Sequence, residues 1–197
     1  MSFCFPKCVR KTKVKTAPTL HTERLILRTF ALEDASDVKR LAWNPNVAST
    51  TNVIEYPYRD GLAEELIRRC GNYFIKEEGP SFAVTLRSDG TLIGNVELFI
   101  RRYLPHNDAF ISYWIGEPYW NCGYCTEAAK VVIRYGFREC NLDQILAYHF
   151  KRNPASGRVL QKIGMRYWDY FPNDTKHWGK WEDQIGYTLS KNEYEEL

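Results

Sequence analysis

In the stretch YWNCGYCTEAAKVVIRYGF, Tyr119 to Phe137, two cysteines stand two residues apart just ahead of a helical pattern. Three chemistries fit Cys122 and Cys125 there. A thiol pair at a helix N-terminus is held as thiolate by amide dipoles and positive neighbours, and exchanges with disulfides. Two thiolates also make half of a tetrahedral zinc site, leaving Cys4 and Cys8, or scattered histidines, to supply the rest. In the third case the turn NCGYCT points successive backbone N–H groups at an anion. Gly123 then permits close approach, the helix dipole adds favourable potential, and a pyrophosphate is the natural guest.

Other side chains carry chemistry in principle. Glu97 in IGNVELF alternates away from Val96 and Leu98, as a general base or an ordinary exposed strand carboxylate would. His149 in QILAYHF is a second candidate base, or a histidine packed between Tyr148 and Phe150. Asn153 and Ser156 open NPASGRVLQKIGM, where an N-cap and a helix-start hydroxyl are equally natural.

The elements that must hold these residues follow from periodicity. RLILRTF reads as a strand, and ALEDASDVKRLAW as a helix with Val38 and Leu41 inward. A second helix is expected from about Asp60 to Glu78, with Leu62, Leu66, Ile67 and Phe74 inward. SFAVTLR, TLIGNVELFI and AFISYWI alternate as three strands, the first two joined by an SDG turn. A helix from Glu127 to about Cys140, the strand QILAYHF and a helix from Pro154 to Gly164 come next. RYWDYF and WEDQIGYTLS supply two final strands.

Composition sets the outer limits. With 197 residues, 44% of them apolar, the chain can bury one core without staples. No apolar run approaches the roughly 18 to 20 residues that span a bilayer, and the N-terminus lacks the apolar stretch of a secretory signal. The expectation is a cytoplasmic protein without a membrane partner, its six cysteines reduced. Five basic and no acidic residues fall in the first 20 positions, so a net charge of +3 becomes −2 for the remainder, which is no basic nucleic-acid-binding domain. Residues 1–20 read as a basic arm, a disordered tail or a weak contact to an anion such as RNA, and 21–197 as a single domain.

YWNCGYCTEA followed by NPASGRVLQKIGM resembles the GNAT acetyltransferase superfamily, in its ribosomal-protein-alanine and -serine N-acetyltransferase (Rim-type) branch. There the two segments look like W-G-x-G-Y-A-T-E-A and N-x-x-S-x-x-V-L-x-K-x-G-F, and the likeness extends from about Thr22 to Leu189. Asn121 and Cys122 replace the usual Gly and Lys, removing one basic side chain, Cys125 replaces Gly or Ala, and Met165 replaces Phe.

The resemblance implies an α/β (α+β) GNAT fold, a mixed central sheet of about seven strands flanked by about four helices. It implies acetyl-CoA as cosubstrate and no metal. The amides of Cys122, Gly123, Tyr124, Cys125 and Thr126 would hold the pyrophosphate, with Asn121 also among the cofactor-binding residues. Trp114 and Ile115 would lie along the pantetheine arm, with Asn153 and Arg158 completing the cofactor contacts. Many GNAT enzymes protonate the thiolate with a tyrosine seven residues after the Asn; here that position is Leu160, so Ser156 is the expected replacement and Glu97 the expected base. The implied activity is acetylation of a primary amine, foremost the N-terminal α-amine of a ribosomal protein. Acetylation of a polyamine, amino acid or antibiotic, or CoA binding without catalysis, are the alternatives. A ribosome contact and a homodimer are further partner expectations.

Overall fold

The computed structural model describes residues 17–52, 54–76, 78–101 and 107–197. The basic arm up to position 16, with Cys4 and Cys8, and the Phe74 side chain lie outside the described set. The described strands are β1 (Leu20–His21), β2 (Leu25–Arg28), β3 (Ser81–Leu86), β4 (Leu92–Arg101), β5 (Asp108–Ile115), β6 (Gln144–Phe150), β7 (Arg166–His177) and β8 (Lys180–Ser190). The helices are α1 (Ala35–Ala42), α2 (Pro45–Ala48), α3 (Leu62–Ile75), α4 (Tyr124–Arg138), α5 (Pro154–Lys162) and α6 (Lys191–Glu195).

All eight strands join one sheet in the order β1-β2-β3-β4-β5-β6-β8-β7. Every neighbouring pair is antiparallel except β5 and β6, which α4 connects as a crossover. Expectation and structure differ by one strand, the two-residue β1, and by the short helices α2 and α6. Asn44 caps α2 by accepting from the Asn46 N–H, with Pro45 in the first turn, and Ser190 with Glu193 forms a capping box on α6.

Helices cover both faces of the sheet. On one, α4 lays Ala128, Val132 and Phe137 and α5 lays Leu160 against Val96 and Leu98. On the other, Leu41 of α1 and Leu66 and Ile67 of α3 pack with Trp114. A fully buried side chain of this size contributes about 1.5–3 kcal/mol, so these two stripes dominate the fold's stability.

Helix α4 starts at Tyr124, three residues before the Glu127 expected from periodicity. The reason is Gly123, whose φ of +80° turns the chain into the helix at once and brings Cys125 and Thr126 into its first turn.

The entrance to α1 rests on an ion pair. Both Arg28 Nη atoms donate to the Asp34 carboxylate at 2.7 Å, and the Ala31 N–H adds a bond of 2.8 Å. Burial works to raise the Asp34 pKa, but these bonds and the Arg28 charge outweigh it and hold the carboxyl below its ordinary value. The stabilisation is therefore complete above the unfolded carboxyl's pKa and fades as pH falls through the lower folded one. Asp34→Asn is expected to cost roughly 2 kcal/mol at pH 7 by chemical denaturation, the gap to wild type narrowing below about pH 4.

Candidate active site

β5 and β6 are paired only at Asp108–Phe110 with Gln144–Leu146. Beyond that, β5 stays on β4 as far as Ile115 and β6 stays on β8 as far as Phe150. The two strands consequently part, leaving main-chain groups on their facing edges without strand partners.

Two cavities use the gap. One, of about 500 Å³, runs from Trp114 and Ile115 past Asn121, Gly123, Tyr124, Cys125 and Thr126 to Asn153 and Arg158. Its described lining holds two cations, Arg158 and Lys162, and no carboxylate. The other, of about 220 Å³, lies between Phe110 and Tyr148 and is bordered by Thr50, Thr51, Asn52, His149 and Gln184. Both include Thr50, Tyr113 and Ser156, which mark where they meet.

The larger cavity has features at its loop end that suit an anion. Asn121 and Gly123 have φ of 61° and 80°, and Trp120 ties the loop to the end of β5 through Nε1–H on the Ile115 carbonyl at 2.6 Å. No side chain caps the α4 N-terminus, so the N–H groups of its first turn have no intrahelical acceptor and face the Gly123 end of the cavity. Of the ten residues expected around the cofactor, nine line this cavity. Cys122 does not: it is exposed, its thiol facing the Trp120 carbonyl at 3.4 Å and its own carbonyl taken by Arg24 at 3.0 Å.

No disulfide joins the described cysteines, and burial pushes the Cys125 thiol up to about 12, which keeps it protonated and a poor nucleophile. Cys4 and Cys8, the expected partners in a zinc site, lie outside the described residues.

At the junction, the Ser156 hydroxyl lies 3.0 Å from the Tyr113 phenol, which also donates to the Ser156 carbonyl at 3.1 Å. Burial raises the Tyr113 pKa, so the phenol stays protonated. Sequence reasoning looked for a tyrosine on α5 and found Leu160, which is fully buried in the core. The phenol arrives instead from β5, and its signal was only the alternation of AFISYWI, which sends Tyr113 and Trp114 to opposite faces. Asn153 occupies the α5 N-cap position, yet its side chain makes no capping bond and is directed to the cavity lining.

Glu97, expected as the base, is among the lining of neither cavity. Its carboxylate accepts from the Ser81 hydroxyl at 3.2 Å, and Ser81 in turn accepts from the Asn95 amide at 2.9 Å. Burial raises its pKa against the opposing effects of Ser81 and Arg69. It belongs to a polar cluster between β4 and α3 that also pushes the Cys70 thiol up to about 11, burial first and the Glu97 charge second. His149 borders the smaller cavity but is buried, its Nδ1 2.8 Å from the Phe150 carbonyl, and burial lowers its pKa so that it is neutral at pH 7.

Residues 24–166 match the family described as Acetyltransferase (GNAT) domain. The chain belongs to the GNAT acetyltransferases. The N-acetyltransferase YnaD of Bacillus subtilis (strain 168), itself uncharacterized, is 30% identical over 173 residues, 88% of this chain and 97% of that protein. Among solved structures, ribosomal-protein-S5-alanine acetyltransferase from Vibrio fischeri superposes with a TM-score of 0.76 at 20% identity, covering 90% of this chain and 99% of that one. Spermidine N-acetyltransferase from Vibrio cholerae, in complex with CoA and spermine, gives a TM-score of 0.74 at 21% identity, covering 88% and 99%. This GNAT protein is accordingly an acetyl-CoA-dependent N-acetyltransferase, and the uncapped α4 terminus beside two cations suits that nucleotide.

On the expectation that backbone amides rather than sulfur serve the cofactor, Cys122→Ala combined with Cys125→Ala should keep acetyl transfer within about three-fold of wild type in a thiol-release assay. Abolished turnover in a folded double variant contradicts this assignment.

Proposed function

We propose that this acetyltransferase modifies the α-amine at the N-terminus of a peptide or protein, a ribosomal protein being the candidate its branch supplies. The observation that carries this reading is the lining of the smaller cavity. Thr50, Thr51, Asn52 and Gln184 offer neutral hydrogen-bonding groups, Phe110 and Tyr148 offer apolar walls, and no described lining residue is a carboxylate. A polyamine keeps further ammonium groups after the reacting amine loses its proton, and enclosing these among neutral walls costs several kcal/mol each. A peptide terminus brings a single amine followed by amides, which Asn and Gln side chains can satisfy. At about 220 Å³ the cavity is smaller than the roughly 300–1,000 Å³ of a site enclosing a compact ligand, which suits the first residue of a longer chain. The Vibrio fischeri enzyme offers the same acceptor class by likeness of fold. A small amine is the second reading, favoured by Asp174, whose charge reaches the Tyr148 phenol of the cavity wall.

Acetyl-CoA supplies a thioester for attack by the neutral amine. The β5 main chain past Phe110, unpaired toward β6, provides N–H groups for the oxyanion that develops on the carbonyl. Ser156 donates its hydroxyl hydrogen bond to the departing sulfur, and Tyr113 fixes the serine without ionising. Proton loss from the acceptor's ammonium goes to water in the open cleft, with Glu97 confined to its cluster around Ser81.

Peptides beginning with Ala or Ser should release thiol from acetyl-CoA, while spermidine should not; turnover with spermidine alone sinks the reading. With a peptide acceptor, kcat/KM should rise with pH and level off above about 8, the range of an α-amine. Ser156→Ala should lower kcat roughly 10- to 100-fold, and Glu97→Gln should change it less than about three-fold.

A further inference from the structure

Arg24 sits at the foot of β2, outside the lining of both cavities, yet its side chain is bonded to the turn that opens α4. Its Nε and Nη2 each lie 2.7 Å from Glu127 Oε2, and its Nη1 donates to the Cys122 carbonyl at 3.0 Å. Its guanidinium carbon stands 4.6 Å from the centre of the Tyr124 ring. Glu127 Oε1 accepts two further bonds from the same edge of the chain, from the Arg24 N–H at 2.9 Å and the Thr22 hydroxyl at 2.6 Å. Three groups where the loop enters α4, the 122 carbonyl, the 124 ring and the 127 carboxylate, thus meet one guanidinium.

We propose that Arg24 is the positioning residue of the diphosphate site: it orients the peptide between Cys122 and Gly123 so that the Gly123 N–H faces the ligand, and it cancels the Glu127 charge in the first turn of the helix that meets that ligand. The first half follows from peptide planarity. In a trans peptide the C=O and N–H point in opposite directions, so a carbonyl drawn to Arg24 on one side of the loop sends the next N–H to the other. Gly123 lines the cavity, and Arg24 does not. The second half follows from placement. Glu127 is the acidic residue of the α4 first turn, favourable for the helix dipole but repulsive to an incoming anion, and the guanidinium neutralises it at hydrogen-bond distance. The guanidinium fork matters as well as its charge, because it serves a carboxylate and a carbonyl together, which a lysine ammonium cannot do in the same geometry.

Both effects act on phosphate and on nothing else in the donor, and this separates positioning from general structural support. The test needs no acceptor, so it stands or falls apart from the peptide assignment. Tryptophan-fluorescence titration is suitable, since Trp114 and Trp120 line the cavity. CoA and pantetheine, which lacks the diphosphate and nucleotide, are compared as ligands of wild type, Arg24→Met and Arg24→Lys. Arg24→Met should weaken CoA about ten-fold or more, Arg24→Lys several-fold less, and neither should move the pantetheine constant beyond about two-fold. Unchanged CoA affinity in Arg24→Met overturns the proposal, as does an equal loss for CoA and pantetheine. Should Arg24→Met fail to fold, Arg24→Lys alone decides by the same comparison.

Discussion

Three paired positions hold β5 to β6, and the site exists because the pairing stops there. A parallel pair needs a crossover, and the crossover needs a helix long enough to return the chain, which α4 provides. Each strand remains committed on its far side, β5 to β4 and β6 to β8, so the parting costs only the bonds between the two. What it yields is an edge of main-chain donors facing a gap, with the helix that caused the crossover aiming its own N-terminus at the same gap. The two cavities then meet at the first turn of α5, where Ser156 and Tyr113 touch.

The legible parts of the fold were those with a strict period. Alternation located β3, β4 and β5, and the apolar stripe of α1 placed Val38 and Leu41 inward, where both are buried. Short elements fixed by capping rather than by periodicity were harder. Asn44-Pro45 and Ser190 with Glu193 carried readable signals for α2 and α6, yet five or fewer residues give no stripe to see. The start of α4 was misjudged for a similar reason, since the left-handed Gly123 looks in sequence like any loop glycine.

The candidate site divided along another line. Residues expected to contribute their backbone could be placed together, because the turn and helix signals that announce them are local: Gly123, Tyr124, Cys125 and Thr126 all line one cavity. Residues whose contribution depends on contacts across the sheet could not. Tyr113 bonds a residue 43 positions away, and Arg24 bonds one 103 positions away. Glu97 fails in the opposite direction, since alternation says only that its side chain leaves the Val96 face, not that α3 and Ser81 wait on the face it joins.

The uncapped end of α4 has one more consequence. A helix that leaves its leading amides without side-chain partners is less stable alone than with an anion in place, and α4 is also the connection on which the parallel strand pair depends. Ligand affinity thereby becomes folding free energy, amounting to about 2.7 kcal/mol when the nucleotide stands at a hundred times its dissociation constant. A cell rich in acetyl-CoA would thus feed this enzyme and lengthen its survival by the same event.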